Sequence, residues 1–112
     1  MKTQSENFLY DSKIDFEDVG GGLSRQMMGY NTELMMVKVK FETGGIGSIH
    51  QHTHSQCTFI DSGLFEITIN GEKKILKAGD GFFVEPNAPH GAVCLEAGLL
   101  IDTFSPMRKD FL

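Results

Sequence analysis

Short stretches that alternate apolar with polar residues, cut at close intervals by glycine, run through most of the chain. The clearest is Leu64-Phe65-Glu66-Ile67-Thr68-Ile69, which meets Asn70-Gly71 and returns as Glu72-Lys73-Lys74-Ile75-Leu76-Lys77. Asn-Gly tolerates positive φ at both central positions of a type I′ turn, so this segment predicts a β-hairpin whose second strand is charged and exposed on one face. Glycines at 20–22, 29, 44, 45, 47, 63, 71, 79, 81, 91 and 98 bound further stretches rich in Val, Ile, Phe and Thr. That spacing is the one expected of an all-β sandwich or barrel. It predicts strands over 23–28, 34–41, 48–52, 57–60, 82–84, 91–95 and 99–104. No pattern supports a helix longer than two turns, an internal repeat or a linker. The first 18 residues read as an edge strand or as an arm packed on a partner.

Composition narrows the class. A chain of 112 residues suits one domain spanning 1–112, and 40% hydrophobic with 22% charged residues is ordinary for a soluble globular protein. No apolar run exceeds four residues, which excludes a membrane-spanning helix. Residues 1–20 are polar and acidic with no apolar segment of signal-peptide length, so a cytoplasmic protein is expected. Ten basic against 15 acidic residues leave a formal charge of −5, and without a basic run nucleic acid is not an expected partner. Cys57 and Cys94 form no CxxC and are expected to be free and buried. Arg25 and Arg108 are the only two arginines, so a bidentate clamp on a carboxylate or phosphate must use one of them.

The four histidines carry the chemistry. Three lie in Gly44-Gly45-Ile46-Gly47-Ser48-Ile49-His50-Gln51-His52-Thr53-His54-Ser55-Gln56, the fourth in Glu85-Pro86-Asn87-Ala88-Pro89-His90-Gly91. In a strand, residues i and i+2 share a face about 6–7 Å apart, so His50 and His52 can converge on one ion through imidazole bonds of about 2 Å. His54, about 13 Å from His50 on an extended chain, can join them only through a bend. Beyond such a bend Gln56 can turn its amide oxygen back to the ion, and His90 would arrive from a distant strand. The plainer alternative is that histidines in a polar loop are merely solvated.

The window Gly44-x5-His50-x-His52-x3-Gln56-x6-Gly63 resembles the first cupin motif, with Gln56 where most members have glutamate. Gly79-x10-His90 resembles the second, although Glu85 and Asn87 stand where proline and glycine are frequent. Both lie in order within residues 44–94. The resemblance implies a small single-domain β-barrel, the jelly-roll or double-stranded β-helix, with a metal held by His50, His52, Gln56 and His90. It also implies a homodimer. Three imidazoles and an amide leave a divalent ion its full charge, which favours Lewis-acid work and anionic substrates. Zinc, nickel, manganese and iron all suit this donor set.

Leu34 to Val39, His52 to Gln56 and above all the ending from Leu95 to Leu112 resemble the pectin-degradation cupins of the KdgF type. What that family implies is ketonisation of 4,5-unsaturated monouronates, released by pectate or alginate lyases, to linear 5-keto-4-deoxyuronates. By the same resemblance Asp102 occupies the catalytic acidic position, Phe104 the pocket aromatic and Arg108 the terminal arginine. The residues themselves agree in part. Leu100, Asp102 and Phe104 share one face of the last strand, and a carboxylate in an apolar strand is costly to bury without a purpose. The plain alternatives are that Asp102 opens a turn before Pro106 or pairs with an arginine, and that Arg108 is a solvated terminal charge. If folded back over the barrel mouth, the Arg108 fork would suit a uronate carboxylate, with Arg25 as a second anion contact. Two other classes stay open: an Fe(II)-dependent dioxygenase on the same barrel, and a non-catalytic sugar-acid-binding module. Phe82-Phe83 and Met27-Met28 are expected in the core or barrel lining. Cys57 should point away from Gln56, and Glu85 is left open as an approach to the site.

Overall fold

Alternating side chains become an antiparallel ladder of eight strands: β1 (Glu17–Gly20), β2 (Leu23–Asn31), β3 (Leu34–Phe41), β4 (Ile46–His50), β5 (Ser55–Ile69), β6 (Glu72–Lys77), β7 (Gly81–Val84) and β8 (His90–Ser105). The computed structural model describes residues 2–112, and none of its helices is long and apolar enough to cross a membrane. Only two single 3₁₀ turns, Asp11–Lys13 and Lys109–Phe111, interrupt the strands among the described residues. The all-β expectation holds.

The longest strands, β5 and β8, pair with each other from Ser55↔Ser105 to Ile69↔His90 and hold the fold together. The first half of β5 also pairs with β7 and its second half with β6. Correspondingly, β8 pairs with β4 near His90 and with β3 towards Phe104. Each long strand therefore passes between two groups of neighbours, and the sheet folds over on itself around an apolar interior. Met35, Val37, Phe41, Ile60, Phe65, Leu100 and Phe104 fill it, with Phe41 edge-on to Phe65 at 5.1 Å. Burial on β3 reads strictly in alternation, the pleat written in sequence.

Glycine positions suggest two separate strands on each side of Gly63 and again before Leu99, but the ladder is continuous through both. Gly63, at φ +93°, sits at a register irregularity where a Cβ would stand 2.7 Å from the Glu96 carbonyl oxygen and 2.8 Å from the Gly98 Cα. Glycine here bends the strand and admits close backbone approach instead of ending it. The predicted strand 48–52 is also corrected: β4 ends at His50, leaving His52 in the connection to β5. The Asn70-Gly71 turn has φ of +51° and +80°, as the hairpin requires.

Two expectations about burial fail. Cys57 is exposed, because it points to the outer face of β5 opposite Gln56, while Cys94 is buried. Phe83 is 60% exposed for the same reason: Phe82 faces the interior and its neighbour must face out. The N-terminal arm is clipped to β2, where the Gln26 amide donates to the Ile14 carbonyl at 2.8 Å and Ser5 N–H to the Tyr30 carbonyl at 2.9 Å. β1 then forms the sheet edge.

Candidate functional site

His50, at the end of β4, lies opposite His90, at the start of β8. His52 is brought to them by a loop contact, since the Asn87 N–H donates to the His52 carbonyl at 2.7 Å. Asn87 adopts φ +67°, a conformation that asparagine tolerates better than most L-residues, which accounts for its standing in a glycine-type position. The ligand-capable atoms of His50, His52 and His90 lie within 4.8 Å of one another. His54 stays outside this group, its ring stacked edge-on to His52 at 5.4 Å.

Backbone carbonyls set the tautomer of all three rings. Nδ1 of His50 faces the Ser48 oxygen at 2.8 Å, that of His52 the His54 oxygen at 3.1 Å, and that of His90 the Ala88 oxygen at 2.9 Å. A carbonyl only accepts, so each Nδ1 carries the proton and each Nε2 presents a lone pair. His90 Nε2 is buried without a partner. Burial, seconded for His52 by the nearby Arg108, holds the His52 and His90 rings below the usual histidine range and therefore neutral.

Gln56 joins this group to a carboxylate. Its Nε2 donates to Thr58 Oγ1 at 3.0 Å and to Asp102 Oδ1 at 3.4 Å, and Thr58 Oγ1 donates to Asp102 Oδ1 at 2.6 Å. The amide oxygen is thereby turned towards the histidines, 3.1 Å from His52 Nε2. Two acceptors face each other there with no proton between them, an arrangement that a cation resolves. The donor set thus fits a divalent metal held by His50, His52 and His90, the case that backbone-oriented imidazoles make in metal sites generally.

A cavity of about 250 Å³ opens beside this group, lined among others by Gln56, Asp102, Phe104, Phe111 and both arginines. Asp102 lies in the β8 ladder opposite Val37 and Thr58 and makes no ion pair with an arginine, so neither plain alternative for it applies. Burial pushes its carboxyl up to about 6, against opposing pulls from Thr58, Arg108, His50 and Gln56. Arg108 is no solvated terminal charge. Buried Met107 anchors the segment beyond β8, and the Arg108 side chain is only 11% exposed. Its Nε and Nη2 are held by Asp110 at 3.1 and 2.8 Å, and its guanidinium lies 5.1 Å from the Phe104 ring centre. Glu85 turns away, accepting from Asn70 Nδ2 at 2.9 Å on the surface. Sequence reasoning passed over Thr58 and Phe111. The signal for Thr58 was present: it stands two residues beyond Gln56 on the same strand face.

Comparison with known proteins agrees with this geometry. Residues 37–101 match the family model described as the cupin domain. The pectin degradation protein KdgF of Dickeya dadantii is 45% identical over 107 residues, covering 94% of this chain and 97% of that protein. An RmlC-like cupin from Shewanella frigidimarina superposes with a TM-score of 0.97 at 50% identity, covering 99% of this chain and all of that one. KdgF from a Halomonas species superposes with a TM-score of 0.92 at 40% identity, covering 96% of this chain and all of that one.

Proposed function

Because the chain belongs to the cupin family and, within it, to the KdgF pectin-degradation proteins, we propose that it converts 4,5-unsaturated monouronates to linear 5-keto-4-deoxyuronates. The observation that carries this reading is the hydrogen-bonded chain Asp102–Thr58–Gln56, which turns the Gln56 amide oxygen to the histidine group in a cavity lined by both arginines. A cavity of about 250 Å³ is of the size for one sugar acid.

His50, His52, Gln56 and His90 would hold one divalent ion. Bound there, such an ion supplies Lewis-acid stabilisation of negative charge on a substrate oxygen. Asp102 removes the proton of the C1 hydroxyl. The C1–O5 bond then breaks, C1 becomes an aldehyde, and the electron pair remains as an enolate over O5, C5 and C4. Protonated Asp102 returns the proton to C4, leaving a ketone at C5. The sum is an isomerisation that needs no oxidant. A carboxyl near 6 is ionised enough at neutral pH to act as base and acidic enough to give the proton back. Phe104 packs on the sugar, and Arg108 faces the substrate carboxylate with the N–H groups that Asp110 leaves free.

A homodimer would use the outer face of the sheet, where Met36, Phe59 and Phe83 are 42%, 49% and 60% exposed around Ile101. Grouped apolar side chains of this kind mark association surfaces. A cytoplasmic setting is the one proposed for the reaction, and it would keep Cys57 and Cys94 as thiols.

The test is turnover of an unsaturated monouronate freshly made with a lyase, followed by loss of its C4=C5 ultraviolet absorbance. Enzyme-dependent loss that requires Asp102 and consumes no oxygen is expected. No acceleration after loading with zinc, nickel, manganese and iron in turn would overturn the reading, and oxygen uptake would replace it with a dioxygenase.

A further inference from the structure

We infer that Arg25 is a second carboxylate-binding residue of the cavity, forming with Arg108 a two-guanidinium clamp arranged about the Phe111 ring. The identity of the anion rests on the uronate reading above; the clamp itself rests on geometry. Arg25 leaves β2 and Arg108 follows β8, yet both line the same cavity. Their guanidinium carbons stand 3.8 and 4.3 Å from the Phe111 ring centre. Phe111 in turn meets Phe104 edge-on at 5.6 Å. Drawing two cations to one place is unfavourable by itself, and the negative face of an aromatic ring offsets part of that cost. Stacking also leaves the in-plane N–H groups of a guanidinium free to donate.

The two arginines differ in what already occupies them. Asp110 takes one whole edge of Arg108. Among the described residues no carboxylate forms an ion pair with Arg25, not even Glu17, which is its cross-strand neighbour on β1. Arg25 therefore carries the unspent planar fork of the cavity, half-buried and without a counter-charge. The carboxylate that lines the same space, Asp102, is hydrogen-bonded to Thr58. A chain of net charge −5 repels an incoming anion at long range, so a local cation at the cavity must overcome that field. A substrate carboxylate supplies what Arg25 lacks, through parallel charge-assisted bonds.

The experiment measures binding apart from turnover. Metal-loaded full-length protein is titrated with D-galacturonate and with neutral D-galactose by NMR, for the wild type, Arg25→Gln, Arg25→Lys and Phe111→Leu, each checked for an unchanged fold by its backbone spectrum. Arg25→Gln is expected to weaken galacturonate binding by about 10- to 100-fold and leave galactose unchanged. Arg25→Lys should fall between, since it keeps the charge and loses the fork. Phe111→Leu, which keeps both charges, should weaken galacturonate by a smaller factor. In turnover of the unsaturated uronate, Arg25→Gln should raise KM with kcat kept within about three-fold. Wild-type affinity for galacturonate in Arg25→Gln, with KM unmoved, overturns the clamp alone. Failure of the wild type to bind or convert any uronate overturns the uronate reading and the clamp with it.

Discussion

The amide oxygen of Gln56 stands 3.1 Å from Nε2 of His52, although neither atom has a proton to offer the other. The His52 proton is committed to the His54 carbonyl, and the Gln56 amide hydrogens to Thr58 and Asp102. One residue thus faces the histidine group with its oxygen and the Asp102 carboxylate with its nitrogen. A glutamate at this position would bring a second negative charge beside Asp102 and offer Thr58 no donor.

Gln56→Ala should lower affinity for divalent metal by about 10- to 100-fold, the range seen when a supporting metal-site partner is lost. Competition titration with a chromophoric chelator measures it. Unchanged affinity would leave the three histidines as the whole site.

Thr58→Val removes the hydroxyl that stabilises ionised Asp102 while keeping its shape. The Asp102 carboxyl should rise further, so the acidic limb of the kcat/KM profile should move to higher pH. A limb that stays in place would show that it reports some group other than Asp102.

Asp102→Asn separates stability from activity. The folded-state value near 6 lies above the ordinary 3.8, so the folded protein holds this proton more tightly than the unfolded chain. Stability from this group is present at low pH and is lost as pH rises from about 4 through about 6. Asparagine keeps an acceptor for Thr58 without the charge. In chelator-treated protein at pH 8 the variant should therefore be more stable, by up to about 3 kcal/mol, with the difference gone near pH 4. Urea unfolding at the two pH values tests this. Turnover of the metal-loaded variant should fall at least about 100-fold.

Phe83→Glu places a charge on the exposed apolar face beside Phe59 and Met36. Sedimentation velocity should show a homodimer for the wild type and a monomer for the variant, with metal content unchanged. A wild-type monomer at micromolar concentration would remove the assignment of a second copy to this face.

Periodicity and spacing determined much of this protein. Two-residue alternation specified strands, Asn70-Gly71 specified the hairpin, and the histidine spacing marked the metal-type group. The face shared by Leu100, Asp102 and Phe104 was legible too, because a strand has only two faces. Glycine was the ambiguous letter: Gly63 bends β5, and the strand does not end there, a difference set by the backbone of β8 crossing close beside it. What only the tertiary structure decided are relations across long separations. Thr58 acquires meaning from Asp102 opposite it in the β5–β8 register, and Arg25 from Phe111 near the other end of the chain. Local sequence constrains the direction of a side chain, but whether it meets a hydroxyl, a ring or water depends on which distant strand the ladder brings alongside.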